Sequence, residues 1–306
     1  MSESTVVIAT RASVLAKWQA QFVAQRLQSV AGVSTQLLEM TTQGDKNLAQ
    51  KLSAIGGKGL FVKELEEAVA DGRAHFAVHS LKDVPMTLPD GFTLAAVSER
   101  EVANDVFISA RYASLEEMPA GAIVGTSSLR REMLIRHYYP TLEVVSVRGN
   151  VATRLSKLDN GVCDALIMAY AGIKRLGLED RIREVLPLET FVPSPGQGAL
   201  GIECATGNAF ACELARCVHD EASFLATAAE REVSRLLGGS CQVPLGALAR
   251  IEGDAMTLTA LIGDATTGEF IRTRVTGKAS EPLVLAQEAV RKLLAQGAAR
   301  FVPEGL

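Results

Sequence analysis

Short runs rich in β-branched and other apolar residues alternate with stretches of helical periodicity along this chain, and this alternation limits the fold more than any other feature. Such alternation is typical of α/β proteins, in which helices connect the strands of a sheet. No internal repeat or low-complexity tract interrupts the pattern. We therefore predict an α/β fold with mostly parallel sheets.

Individual elements follow from the same patterns. Ser13 can cap a helix that runs to about Gln28, because its hydroxyl can accept a first-turn N–H. Another helix is predicted to start near Ser128 and to stop before Pro140. The predicted strands are Thr5 to Ala9, Phe76 to Val78, Ala122 to Val124, Glu143 to Val147, Ala165 to Met168, Leu245 to Ile251, Met256 to Gly263 and Ile271 to Lys278, and the further helices are Phe61 to Ala70, Ala222 to Leu237 and Pro282 to Ala295.

A chain of 306 residues is too long for one typical hydrophobic core and suggests two or three domains. A second unit begins after SEREVAND (Ser98 to Asp105), and the Pro- and Gly-rich segment FVPSPGQGALGIEC (Phe191 to Cys204) marks a second crossover. Two crossovers suit a hinged body with two lobes and a cleft. We predict a first α/β lobe of residues 1–98 plus 198–217, a second α/β lobe of residues 103–193, and a C-terminal α+β domain of residues 221–306.

Composition excludes several classes of protein. Hydrophobic residues make up 48% and charged residues 22%, as in ordinary soluble proteins, and the net charge of -4 argues against nucleic-acid binding. No apolar run approaches the ~20 residues that cross a membrane, and the N-terminus lacks a signal-peptide pattern. Five cysteines without metal-binding spacing fit a reducing compartment. We expect a cytoplasmic protein that binds no metal, membrane or nucleic acid.

Arginines recur directly after predicted strands. The segment GTSSLRR (Gly125 to Arg131) turns from a strand into a helix, so it combines free backbone N–H groups, hydroxyls and guanidinium groups. Ligands of open α/β sheets lie beyond the carboxyl ends of strands, and arginine can bind a carboxylate through two hydrogen bonds. The pattern predicts one cleft with several carboxylate-binding positions, formed by Arg11, Arg130, Arg131, Arg148, Arg154 and Arg175 with the hydroxyls of Thr126, Ser127 and Ser128.

Each of these features also has an ordinary structural interpretation. GTSSLRR can be a capped helix with a solvated basic face, and we expect one or two of the arginines to pair with a structural carboxylate. Asp83, in HSLKDVP, could stabilise a developing cation or move a proton, but a lone Lys-Asp pair is more often a surface ion pair or a turn aspartate. His75 and His79 have no evident third metal ligand, so both are predicted to be core or edge histidines.

Cys241 differs from the other cysteines in its surroundings. It follows two glycines and Ser240 and precedes Pro244, which predicts an irregular loop before a strand. A cysteine on such a loop can act as a nucleophile, whereas buried free cysteines are usually structural. The structural interpretation is assigned to Cys163, Cys204, Cys212 and Cys217.

Taken together and in this order, eight segments resemble the porphobilinogen deaminase family, also called hydroxymethylbilane synthases, over nearly the whole chain. They are IATRAS, TTQGDK, GGKGLFVKELE, HSLKDVP, GTSSLRR, VRGNVATRL, PSPGQGALGIE and GGSCQVPLG. The resemblance implies two lobes like those of two-lobed solute-binding proteins and a third domain that carries the cysteine. It also implies a transferase of tetrapyrrole and haem biosynthesis, which adds four porphobilinogen molecules to a dipyrromethane primer with loss of ammonia and releases hydroxymethylbilane by hydrolysis.

The resemblance further implies roles for individual residues. Cys241 would hold the dipyrromethane cofactor through a thioether, Asp83 would be the catalytic residue, and residues 41–61 would form a lid over the cleft. We expect a monomer whose small-molecule substrate is porphobilinogen. The implied cofactor-binding residues are Lys82, Asp83, Thr126, Ser127, Ser128, Arg130, Arg131, Arg148, Gly149, Arg154 and Cys241, and the implied substrate-binding residues are Arg11, Ser13, Phe61, Arg148, Arg154, Arg175 and Gln197.

Two other functions fit parts of the sequence. A two-lobed anion-binding protein without catalysis would explain the first two lobes, but such proteins are usually exported and lack the third domain. A pyridoxal enzyme with Lys82 as its Schiff-base lysine would need a phosphate-binding loop, and no convincing one is present.

Overall fold

A computed structural model describes residues 5–42, 62–239 and 243–302 of the chain. Phe61, Cys241 and nearly all of the predicted lid lie outside these residues. The described strands are β1 (Val6–Arg11), β2 (Thr35–Met40), β3 (Phe76–Ser80), β4 (Phe92–Val97), β5 (Asp105–Ser109), β6 (Ile123–Gly125), β7 (Glu143–Val145), β8 (Ala165–Ala169), β9 (Glu184–Val185), β10 (Leu200–Ala205), β11 (Leu245–Glu252), β12 (Ala255–Gly263) and β13 (Phe270–Lys278).

The helices lie between these strands and mostly pack against their faces. We number the described α-helices α1 (Val14–Ala31), α2 (Lys63–Ala70), α3 (Leu129–Tyr138), α4 (Val151–Asp159), α5 (Tyr170–Arg175), α6 (Ala209–Ala215), α7 (Glu221–Leu236) and α8 (Pro282–Ala295). Short 3-10 turns span Leu81–Asp83, Glu179–Arg181, Arg216–Val218 and Ala298–Phe301.

The described strands form three sheets, two of which build the lobes. The first lobe has the strand order β2-β1-β3-β10-β4, and the second has β7-β6-β8-β5-β9. Phe76 and Ile202 lie in the apolar cluster of the first lobe, and Phe107 and Met133 in that of the second. The strands of each lobe fall within its predicted residue range, while the exact domain limits stay a prediction.

The expectation of mostly parallel sheets is only partly correct, because one strand in each lobe runs against the other four. In the first lobe β1 pairs parallel with β2 and β3, but β10 runs antiparallel to both β3 and β4. In the second, β6 pairs parallel with β7 and β8, but β5 runs antiparallel to β8 and β9. Strands β5 and β10 are each the first strand after a crossover, and both are almost wholly buried. Their apolar runs reveal burial but not direction, and the sequence patterns missed both.

The C-terminal unit is α+β, as predicted. Its three strands form an antiparallel sheet in the order β11-β12-β13, and α7 and α8 pack on it through residues such as Val233 and Leu293. Leu248 and Leu261 of this sheet join the apolar cluster of the second lobe, which attaches the unit to the body of the protein. Within the described parts of the chain, no helix combines the length and hydropathy needed to span a membrane.

Most of the predicted helices and strands lie within a few residues of their observed bounds. Ser13 caps α1 as predicted, with its hydroxyl accepting a hydrogen bond from the N–H of Ala16 at 3.3 Å, and α8 has its predicted limits. The patterns missed β2, β4 and β9 in addition to the two crossover strands. Two residues of β9 are too few for any periodicity to mark.

Candidate active site between the two lobes

Two candidate residues of the first lobe lie at the same edge of its sheet. Arg11 ends β1, and Asp83 follows β3 in the 3-10 turn Leu81–Asp83. Because β1 and β3 are parallel neighbours, their carboxyl ends meet. The resulting cavity is lined by residues that include Arg11, Ser13, Gln19, His79, Ser80 and Asp83. The structure thus brings together Arg11, Ser13 and Asp83, which are all candidate site residues from the sequence.

The backbone holds Asp83 in place more than its own side chain does. Its side chain is exposed, and the carboxylate has no hydrogen-bond partner among the residues that the structure describes. The neighbouring Leu81 and Val84 are buried, and the N–H of Leu81 donates to the carbonyl of Ala199 at 3.0 Å. The carboxylate is therefore available to accept hydrogen bonds from a ligand in the cavity.

Lys82 points towards the second lobe. Its Nζ donates to Oε1 of Gln197 at 3.3 Å. Burial, together with the nearby charge of Arg131, lowers the pKa of Lys82 to about 8, against the opposing effects of Asp83 and Asp105. The ammonium group thus lies between charged residues of both lobes, at the position expected for a cleft.

The edge of the second lobe carries the GTSSLRR turn, and many polar groups of this turn form hydrogen bonds within the protein. The hydroxyl of Thr126 accepts the N–H of Ser128, and Ser128 caps α3 by accepting the N–H of Arg131. Ser127 is half-buried, and no described hydrogen bond uses its hydroxyl. The predicted helix start is correct, and the hydroxyls of Thr126 and Ser128 have a structural task there.

A buried carboxylate ties the two arginines of this turn together. Oδ2 of Asp105 accepts from Nη2 of Arg130 at 2.7 Å, and Oδ1 accepts from Nη2 of Arg131 at 2.8 Å. Burial alone would raise the pKa of Asp105, but the two guanidinium charges and further hydrogen bonds hold that pKa well below its ordinary value. The expectation that one or two arginines pair with a structural carboxylate is confirmed here.

The two arginines differ in the hydrogen-bond donors that remain available to a ligand. Arg130 is only 2% exposed, and it also donates to the carbonyl of Val192 and to the hydroxyl of Ser194. Arg131 donates to the carbonyl of Ile167, but its buried Nε has no hydrogen-bond partner among the described residues. An unsatisfied donor on a buried guanidinium is costly unless an acceptor arrives. Arg131 is therefore better prepared than Arg130 to bind an anion.

Arg148, Gly149 and Arg154 complete this edge. Gly149 has a φ of 123°, and a side chain at this position would collide with Thr153, so the turn requires glycine. Its carbonyl accepts from Nε of Arg154 at 2.7 Å. Burial, and the charges of Arg131 and Arg148, lower the pKa of Arg154 to about 10, whereas Asp83 raises it. These electrostatic effects require that the arginines of the second lobe lie near the carboxylate of the first.

Two predicted substrate-binding residues have other contacts. Gln197 is fully buried, and its Nε2 donates to Asp105 at 2.8 Å and to the carbonyl of Ala103 at 2.6 Å. Arg175 donates to the carbonyl of Gly198 at 2.6 Å and lies over the ring of Trp18. Both side chains therefore lie at the crossovers, where they join the lobes.

Sequence reasoning missed a second buried network at the crossovers. Glu230, on α7, is fully buried and binds Arg100 through both carboxylate oxygens, at 2.5 and 3.1 Å. It also accepts the N–H groups of Gly196 and Ala249, each at 2.8 Å. One carboxylate thereby joins both crossovers to the C-terminal sheet. The segment SEREVAND contains both Arg100 and Asp105 and could have pointed to this network, but its pattern was interpreted only as a boundary between units.

His75, His79, Cys163 and Cys204 have the ordinary structural roles predicted for them, whereas the predicted burial of Cys212 and Cys217 is only partial. His75 accepts the N–H of Val7, and the buried His79 hydrogen-bonds Glu203 at 2.8 Å. Cys163 and Cys204 are buried, and Cys212 and Cys217 are half-buried. No group of three or more metal-ligating side chains occurs in the part of the chain that the structure describes.

We predict that Asp105→Ala destabilises the protein strongly, because it leaves two buried guanidinium groups without their counter-charge. Removing one partner of a buried ion pair typically costs about 3–5 kcal/mol. Urea unfolding of wild type and variant measures the difference. The control is Asp159→Ala, which removes an exposed pair with Arg181 and should cost less than about 1 kcal/mol. Equal losses in the two variants would show that the Asp105 network does not stabilise the fold.

Two family models match the chain. One is described as "Porphobilinogen deaminase, dipyromethane cofactor binding domain" and matches residues 6–213, and the other as "Porphobilinogen deaminase, C-terminal domain" and matches residues 224–295. Among solved structures, a nutrient binding protein from Burkholderia cenocepacia bound to methionine has a TM-score of 0.45 and 11% identity, and the alignment covers 70% of this chain and 91% of that one. The methionine binding protein MetQ has a TM-score of 0.44 and 12% identity, with 77% and 96% covered.

Curated relatives match over nearly the full length. The porphobilinogen deaminase of Thiobacillus denitrificans is 50% identical over 295 residues, which are 96% of this chain and 96% of the relative. That of Burkholderia thailandensis is 51% identical over 303 residues, 98% of this chain and 92% of the relative. These relatives are named as one kind of enzyme, and neither as a solute-binding protein nor as a pyridoxal enzyme. The chain therefore belongs to the porphobilinogen deaminase family.

Proposed function

We propose that the chain is a transferase that condenses four porphobilinogen molecules, one at a time, on a bound dipyrromethane primer and releases hydroxymethylbilane by hydrolysis. The observation that carries this proposal is the pair of family-model matches, which together take in both lobes and the C-terminal unit. The geometry supports it, since the carboxylate of Asp83 and the cations Lys82 and Arg154 lie close enough to influence one another's charge.

The described residues fit an anionic cofactor. Two linked pyrroles with acetate and propionate side chains carry several carboxylates, and Lys82, Arg131, Arg148 and Arg154 supply cations close to Asp83. The Nε of Arg131, which has no partner among the described residues, is the most specific sign, because a buried donor of this kind requires an acceptor. When bound, the cofactor supplies a pyrrole carbon to which the first substrate unit is joined.

We propose Cys241 as the covalent attachment point of this cofactor. The polymer must keep one end fixed through several additions, and a thioether survives where a thioester would hydrolyse. Cys241 follows α7 closely in sequence, after Gly238 and Gly239. The nearby glycines would let a bulky adduct lie close to the backbone.

Asp83 is the proposed catalytic residue. In each addition the aminomethyl carbon of porphobilinogen loses ammonia and bonds to a pyrrole carbon, which then loses its proton. Positive charge develops on the incoming ring when the C–N bond breaks. The carboxylate of Asp83, open to the cavity, can accept hydrogen bonds from pyrrole N–H groups and stabilise that charge. It can also carry a proton to the departing amine.

The remaining site residues divide into direct and indirect roles. Arg11 and Ser13 line the cavity with Asp83 and are proposed to bind the incoming substrate. Arg130, Arg175 and Gln197 have internal partners, so we propose that they act by holding the cleft and Lys82 in position. Ser127 and Gly149 are proposed to contact the cofactor at the edge of the second lobe. Phe61 stays a proposed substrate contact outside the described residues.

We also propose that the enzyme is cytoplasmic and works as a monomer without nucleic acid. The support for the compartment is the cysteine usage, which lacks any metal-binding spacing, and the described cysteines are free thiols. The acidic net charge of -4 supports the absence of nucleic acid.

The test of the proposed function is a mass experiment on the intact enzyme. With limiting porphobilinogen, the mass of the protein is expected to rise in equal steps of one pyrrole unit, and ammonia is released in the same amount. Arg148→Lys keeps the charge but loses the planar guanidinium, so this variant should accumulate at an early step. A protein that binds porphobilinogen without any covalent gain in mass would contradict the proposed function.

Lys82 predicts a pH dependence for the reaction. Its pKa of about 8 means that the ammonium charge is present below this pH and is lost above it. If Lys82 binds a carboxylate of the cofactor, that negative charge raises the pKa of Lys82 above 8. The value of kcat/KM should then fall as the pH rises through this raised pKa. Lys82→Arg stays charged throughout this range, so its alkaline limb should shift to higher pH. The same limb in both enzymes would assign it to another group.

A further inference from the structure

One arginine of the C-terminal unit binds the backbone of the turn that carries Asp83. Arg231 lies on α7, and its Nη2 donates to the carbonyl of Pro85 at 2.7 Å. Its Nη1 donates to the carbonyl of Val84 at 3.0 Å and, more weakly, to that of Leu81 at 3.5 Å. A single guanidinium thus binds three carbonyls on both sides of Asp83.

These carbonyl groups compensate the positive charge of the Arg231 side chain. Burial lowers its pKa to about 10, partly opposed by the charge of Glu203, so it is a cation at neutral pH. Among the described residues, no carboxylate lies within ion-pair distance of it. The carbonyl dipoles of the Asp83 turn are therefore its main partners, and a planar group with donors on two nitrogens suits several carbonyls at once.

The placement of the Asp83 carboxylate depends on this turn. The carboxylate has no hydrogen bond of its own to a described residue, so the backbone at residues 81–85 determines where it points. One side of the turn is held by the carbonyl of Ala199, which accepts the N–H of Leu81. The other side is held by Arg231. Movements of about 1 Å can cost roughly 10²-fold in rate when a reacting group loses its alignment.

The same helix also binds the crossovers and leads towards the cofactor cysteine. Glu230, next to Arg231, accepts hydrogen bonds from Arg100 and Gly196 of the two crossovers. In sequence, α7 is followed by the segment that contains Cys241. A shift of α7 would therefore be transmitted to the Asp83 turn and to the crossovers together.

We propose that Arg231 is a positioning residue for the reaction, which fixes the Asp83 carboxylate in the cleft by holding the carbonyls of Leu81, Val84 and Pro85. This inference rests on the proposed function, since it assigns Arg231 to the turnover of porphobilinogen. It gives the C-terminal unit a part in alignment of the catalytic carboxylate as well as in cofactor attachment.

The experiment compares Arg231→Met and Arg231→Lys with Arg235→Met, a change one turn further along α7. Arg235 is exposed and pairs with Glu232 on its own helix. Arg231→Met is expected to lower kcat by about 10–100-fold with little change in KM. Arg231→Lys keeps the charge and the solubility but can donate to fewer carbonyls, so its kcat should lie between those of Arg231→Met and wild type. Arg235→Met should match wild type.

Two further measurements separate alignment from a loss of folded enzyme. Hydrogen exchange at residues 81–86 should accelerate in Arg231→Met, while α8 and β12 keep their protection. In an Asp83→Asn background, Arg231→Met should have almost no additional effect on kcat, because the group that it positions is already disabled.

Unchanged exchange at residues 81–86, or full additivity with Asp83→Asn, would overturn the positioning role. A fall in kcat/KM that lies wholly in KM would do the same. If Arg231→Met does not fold, Arg231→Lys provides the same three measurements. If wild type does not turn over porphobilinogen, the proposed function fails, while the exchange measurement still reports whether Arg231 holds the turn.

Discussion

Asp83→Asn is expected to lower kcat by about 10²–10⁴-fold while the protein stays folded and still binds porphobilinogen. The change keeps the size of the side chain and removes only its charge. Because the carboxylate is open to the cavity and has no structural hydrogen bond among the described residues, little stability should be lost with it. Stopped-flow single turnovers measure the chemical step apart from product release.

The matched control for this variant is Asp90→Asn, at an exposed turn of the same lobe away from the cleft. It should have wild-type kcat and KM. Tenfold in rate corresponds to a barrier change of only ~1.4 kcal/mol. If the rate of Asp83→Asn stays within tenfold of wild type, a central role for the charge of Asp83 is excluded, and Lys82 becomes the next candidate.

The second large effect is expected at Cys241. The purified protein should weigh more than its sequence by two linked pyrrole units, and Cys241→Ala should lose this mass and all measurable activity together. The variant should also be less stable, because a ligand bound only by the native state stabilises that state. Intact mass, peptide mapping and thermal unfolding measure the three consequences on one preparation.

Cys217→Ala is the control, since it removes a half-buried thiol that the proposed chemistry does not use. It should keep the added mass and the activity. A wild-type protein of bare sequence mass that is fully active without a priming lag would falsify covalent attachment. Added mass that maps to a cysteine other than Cys241 would move the attachment point.

The sequence predicted the local elements well because their signals are local. The Ser13 cap, the helix after GTSSLRR and the strands of the C-terminal sheet each depend on neighbouring residues. Strand direction could not be predicted, since β5 and β10 have the same apolar pattern in either orientation. Their antiparallel placement is decided by where the crossovers return to each sheet.

The candidate site was predictable in its residue types and less so in their tasks. The shared cleft inferred from arginines after strand ends stays a prediction, and the spacing could not reveal that Asp105 pairs with both Arg130 and Arg131. Likewise, nothing local connects Glu230 with Arg100, which are far apart in sequence. Partnerships of this kind exist only after the lobes have packed together.

The position of β10 has a consequence for how the protein is made. This strand lies between β3 and β4, and among the described strands β4 pairs with β10 alone. A ribosome therefore delivers four strands of the first lobe long before β10, which joins β4 to the other three, while β5 to β9 emerge as one continuous block. During synthesis the second lobe can fold first. Until β10 is made, the edges of β3 and β4 are unpaired and can pair wrongly with other strands. Such long-range closure is slow, so the first lobe should be the part of the nascent chain most dependent on chaperones.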